Sequence, residues 1–167
     1  ATWDNGNGEQ VSLTSICPGG TWASWNKPLD LAVGGIDRTK GESWAAAAQG
    51  AYDARWKRSF ARMKTCWGSR DPGNLYIRFA HELNLLDMPW HVKGGEEAAF
   101  VAAFVRYSNL RYTYLPKAKL VLCVNDGTSG QIGIDIAKVW PGKDAKGRPV
   151  VDVYSVDTYN SYLVVTT

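Results

Sequence analysis

The chain has 167 residues, 45% of them hydrophobic, which suits one ordinary domain with a packed core. Its 19 basic and 16 acidic residues leave a net charge of +3 and are scattered without a run of about five like charges, so nucleic-acid binding is not indicated. No segment approaches the roughly eighteen consecutive apolar residues of a membrane span. The start, Ala1-Thr2-Trp3-Asp4, lacks the charged and apolar regions of a signal peptide, so any export signal is expected to be already removed.

Residues 1–28 are rich in Gly, Asn, Ser and Pro and read as an irregular entry segment, with a short strand expected only over 11–16. Leu29-Asp30-Leu31-Ala32-Val33, closed by Gly34-Gly35, suits a buried parallel strand that ends at a loop. Ser43 then precedes a stretch in which Trp44, Ala48, Tyr52, Trp56, Phe60 and Met63 recur at helical spacing, opposite Lys57, Arg58, Arg62 and Lys64. One long amphipathic helix is expected there. A second strand follows over 75–80, a second helix with Phe100, Phe104, Tyr107 and Arg111 on one stripe, and a third strand over 120–124. A weak helix over 132–138 and a fourth strand over 150–156 complete the pattern. Strands separated by helices or long connections imply an α/β fold with a parallel sheet. No internal repeat or linker marks a second domain, so residues 1–167 are taken as one unit.

Eight Trp and eight Tyr are many for this length. Aromatic faces stack on sugar rings and serve equally well as core filler, so composition leaves both uses open. The three cysteines lack the spacing of a zinc site. A Cys17–Cys66 bridge is an option for a secreted chain, and Cys123, within an apolar run, is expected to be a buried free thiol.

In β/α folds catalytic side chains gather just past the C-terminal ends of the strands. The second strand runs into His81-Glu82-Leu83-Asn84, the third into Asn125-Asp126 and the fourth into Asp157-Thr158-Tyr159-Asn160, so three strand ends deliver polar groups to one rim. Glycoside cleavage needs a carboxylic acid that protonates the leaving oxygen and a second carboxylate that attacks the sugar or activates water. Glu82 fits the first role if burial against rings such as Trp90 and Tyr159 keeps it protonated. The HExxH zinc pattern is not met. His91 is expected to be a surface or aromatic-packing residue.

Across about residues 29–160 the sequence resembles glycoside hydrolase family 26, the retaining barrel enzymes that include β-mannanases. The resemblance is carried by Leu29-Asp30-Leu31-Ala32-Val33-Gly34, by Glu42-Ser43-Trp44 with Gly50-Ala51-Tyr52-Asp53, by Tyr76-Ile77-Arg78-Phe79-Ala80-His81-Glu82-Leu83-Asn84, by Pro89-Trp90, by Trp140-Pro141-Gly142 and by the stretch from Val151 to Asn160. It implies a TIM-type barrel, of which about four strands would lie in this chain, acting on a β-linked polysaccharide in a secreted or periplasmic bacterial setting. It implies Glu82 as acid/base, with His81, Arg78, Asn84, Trp90, Asn125 and Tyr159 around the sugar cleft. Proton transfer between carboxyls and glycosidic oxygen suffices for such chemistry, so no cofactor or metal is expected.

The sequence departs from the family at two places. Leu85 stands for a Gly of the motif and Asp87 for a Trp, which implies a lost or moved sugar-stacking platform. The family's nucleophile is a Glu on its seventh strand, whereas this chain stops at Val164-Val165-Thr166-Thr167, so the nucleophile is expected outside it. Glu9, Glu42, Glu96 and Glu97 are expected in loops or helices, and Asp126 and Asp157 to hold loops. Four strands cannot close a barrel, and a second copy or another chain is one way of covering the open sheet.

Overall fold

The computed structural model describes residues 2–3, 12–126 and 133–158. Among them five strands, β1 (Thr2–Trp3), β2 (Leu29–Val33), β3 (Leu75–Phe79), β4 (Lys119–Asn125) and β5 (Val153–Asp157), form one sheet in sequence order. Every pairing is parallel, with Leu31 opposite Ile77, Arg78 opposite Val121 and Cys123 opposite Ser155. The fold is therefore α/β with a parallel sheet.

The alternation expected of strands divides the residues between two faces. Leu29, Leu31, Val33, Leu75, Ile77, Phe79, Leu120, Leu122 and Val124 are buried in one apolar cluster with helices α1 (Trp44–Ala48), α2 (Asp53–Trp67) and α3 (Glu97–Tyr114). Aromatic rings fill that layer: Phe79 stacks on Tyr107 with centroids 3.9 Å apart, and Trp44 meets Phe100 edge-on at 4.9 Å. The helix stripe of Phe100, Phe104, Tyr107 and Arg111 is buried as its spacing predicts, while Lys57, Arg58, Arg62 and Lys64 are exposed. Asp30, Ala32, Tyr76, Arg78, Val121 and Cys123 occupy the alternate positions, on the sheet's other face.

Four expectations need correction. The single long helix is two, because Gly50 has φ +89° and breaks the run between α1 and α2. A Cβ at Gly50 would also collide with the Arg106 guanidinium. Ser43 nonetheless caps α1, its side chain accepting from Ala46 N–H. No strand forms over the described part of 11–16, where Leu13 and Ile16 are buried in turns, Ile16 N–H donating to Leu13 O; the first strand is instead Thr2–Trp3. The fourth expected strand starts three residues late, since Asp152 side chain and backbone bond Leu120, so Val150 and Val151 approach the sheet outside the ladder. In place of the weak helix expected over 132–138, the described residues from 133 on form only a 3-10 turn, Ile136–Val139.

The entry segment is tied down by a Cys17–Cys66 disulfide to the end of α2. Arg70 reinforces it, donating to the carbonyls of Ile16, Trp22, Cys66 and Trp67. Cys123 is a buried free thiol. At the other end of the sheet, β5 turns Tyr154 and Val156 outward, beside the exposed Trp140. No described helix is long and apolar enough to cross a membrane.

Candidate active site

The rim where β3, β4 and β5 end is built by an unusual backbone path. Ala80 and Glu82 both sit in the left-handed region, at φ 53° and 51°, which non-glycine residues adopt at a cost of about 1 kcal/mol or more each. The hydrogen bonds explain why the path holds. Ala80 N–H donates to Val33 O of β2 at 2.7 Å, and Glu82 N–H donates to Cys123 O of β4 at 3.0 Å, so the chain crosses from one neighbouring strand to the other within two residues. That crossing directs the Glu82 side chain towards β4. The carboxyl is 6% exposed as part of its residue and Oε1 accepts from Asn125 Nδ2 at 2.9 Å.

Asn125 is itself clamped. Its N–H donates to Asn84 Oδ1 at 2.8 Å, and its carbonyl accepts from Asn84 Nδ2 at 3.0 Å. Both halves of the Asn84 amide are thus engaged by one backbone unit. Asp157 lies opposite Asn125 in the β4–β5 ladder.

His81 lies between the two strained residues and is 8% exposed. Its ring is 5.1 Å from that of Trp90, and Trp90 Nε1 donates to His81 O at 2.8 Å. Burial, and then the nearby Arg78 charge, push the imidazole down to about 4, with Asp157 opposing, so His81 is neutral at ordinary pH. Its Nδ1 has no partner among the described residues.

Arg78 reaches across the sheet on the face away from the helices. Nε donates to Asp30 Oδ1 of β2 at 2.8 Å, and Nη1 donates to Asp157 Oδ2 of β5 at 2.6 Å and approaches Cys123 Sγ at 3.6 Å. Burial opposes its charge, but Asp30, the Cys123 thiol and Asp157 together hold the guanidinium above its ordinary value. Burial also raises Asp30 and the Cys123 thiol, with Arg78 pulling both back.

Glu82, His81, Asn84, Trp90 and Asn125 come together, with Arg78 beneath them and joined to Asp157. Tyr159 and Glu9 lie outside the described residues. Asp126 is exposed and is connected through its N–H to Asp157 O. Glu42 bonds Arg55, and Glu96 pairs with Arg38, leaving both in structural contacts. His91 is buried, not at the surface: Nδ1 contacts Met88 O, and its carbonyl accepts from Arg38 and Trp44. Among the described residues no group of three His, Cys, Asp or Glu is arranged to hold a metal.

Sequence reading missed Asp30 as the partner of Arg78. An acidic residue inside the apolar run Leu29–Val33 was the available signal, since a charge there needs a counter-charge on the same face. The reciprocal Asn84–Asn125 clamp had no such signal, because it joins residues 41 apart. The chain matches no protein-family model and no curated protein.

Proposed function

We propose that this chain carries the acid half of a retaining, endo-acting glycoside hydrolase for a β-linked polysaccharide such as mannan, xylan, mixed β-glucan or a bacterial exopolysaccharide. Its sheet is then part of a β/α barrel. Glu82 protonates the glycosidic oxygen as the bond to the anomeric carbon breaks, and neutral His81 with Trp90 lines the sugar site. The observation that carries this reading is the Glu82 carboxyl, almost wholly buried at a strand's C-terminal end and held by a side-chain amide. Such a site keeps a carboxyl oriented and short of water, as a proton donor requires.

The second carboxylate is assigned to no described residue. Asp157 lies on the same rim, but Arg78 holds its Oδ2, which suits a structural anion better than a nucleophile. The Cys17–Cys66 bridge supports an oxidising, secreted or periplasmic setting.

The commitment of Asp157 to Arg78 also favours a second reading, a carbohydrate-binding relative without cleavage, or a subunit that becomes active only on assembly. Incubating the chain with β-mannan, xylan and mixed β-glucan, while following viscosity and released oligosaccharides, separates these possibilities. Falling viscosity with oligosaccharide release supports the hydrolase. Binding without release by an intact chain supports the second reading, and sedimentation as a defined oligomer supports assembly.

A further inference from the structure

We propose that Asn125 is the positioning residue that selects which oxygen of Glu82 carries the transferable proton. This rests on the hydrolase reading of the same site. Nδ2–H of Asn125 donates to Glu82 Oε1 at 2.9 Å, and a protonated carboxyl accepts best through its carbonyl oxygen. The bond therefore makes Oε1 the carbonyl and places the proton on Oε2.

Neither partner is able to slide away. Glu82 is fixed by its left-handed backbone and by its N–H bond to Cys123 O. Asn125 is fixed on both backbone polar groups by the Asn84 amide, and on its far side by the ladder to Asp157. Asn84 thus acts through Asn125. Once Glu82 has given up its proton, the same N–H becomes a charge-assisted bond to the carboxylate and stabilises it until a proton returns.

Two variants and two readouts test this on the full chain carrying 13C-labelled Glu, with the Glu82 carboxyl resonance assigned by its loss in Glu82→Gln. In Asn125→Ala the carboxylate loses its donor, and the pH at which that resonance titrates rises by about one unit. In Asn125→Asp, close to the native shape and so able to carry the test should the alanine variant not fold, two carboxyls face each other. That pair keeps one proton to a pH at least about one unit above the parent midpoint. An unchanged midpoint in a folded variant overturns the proposal.

The second readout compares bond cleavage. Asn125→Ala is expected to lose at least about tenfold in kcat on unactivated glycosidic bonds, and much less on aryl oligosaccharides whose leaving group needs no proton. Equal losses on both would mark a merely structural contact and overturn the proposal. Titration shifts in the two variants of a parent chain that cleaves no glycan would overturn the hydrolase reading and leave the Asn125 contact standing.

Discussion

His81 illustrates how much one buried side chain links pH to stability. Its folded-state value of about 4 lies below the roughly 6.5 of an unfolded chain. As pH falls through 6.5 the unfolded chain takes up a proton that the folded one refuses, so its contribution is complete above that pH and declines towards 4. Urea unfolding at pH 7.5 and 4.5 is expected to show the parent losing about 2 to 3 kcal/mol more than a His81→Phe variant between the two. Equal losses would mean that His81 is not held neutral by its surroundings. The polar identities of the rim, His81, Glu82, Asn84 and Asn125, were legible in sequence because they follow apolar strands, whereas Arg78, inside β3, was named only through the family resemblance. Their pairings were not. The choice of Asn125 as the partner of Glu82 depends on a left-handed Glu82, and positive φ in a non-glycine residue leaves no mark in composition or periodicity.

At the scale of elements, a guanidinium joins the sheet across the face away from α1, α2 and α3. Arg78 of β3 bonds Asp30 of β2 and Asp157 of β5, past Cys123 of β4. Removing it leaves two carboxylates facing each other without a cation. Arg78→Met is expected to lower unfolding free energy by about 3 kcal/mol, and the triple variant that adds Asp30→Asn and Asp157→Asn to restore part of it. Equilibrium denaturation of the set checks this, and a single variant as stable as the parent would contradict it. Strand cores were readable because Leu29–Val33 and Leu75–Phe79 alternate apolar residues towards the helices. The helical periodicity from Trp44 to Met63 carried across Gly50 without showing that the backbone turns there, since the spacing of apolar residues survives a break that one glycine makes.

For the whole molecule, the Cys17–Cys66 bridge closes a sequence separation of 49 and holds the irregular entry segment against α2. Reducing it is expected to destabilise the chain by about 4 kcal/mol, chiefly by freeing the unfolded state, as read from denaturation with and without a reductant. No change would show that Arg70 and the buried Leu13 and Ile16 suffice. The parallel order of the sheet agrees with strands separated by helices or long connections. The added strand Thr2–Trp3 was hidden because two residues are too few for any periodicity.

The central claim is that the Glu82 carboxyl donates a proton to a glycosidic oxygen. Glu82→Gln keeps the shape and the Asn125 contact but has no acidic proton to give. On the proposed function, its kcat on a β-linked glycan, compared with that of the parent, is predicted to fall by about a hundredfold or more. A variant that releases oligosaccharides at the parental rate would contradict the account.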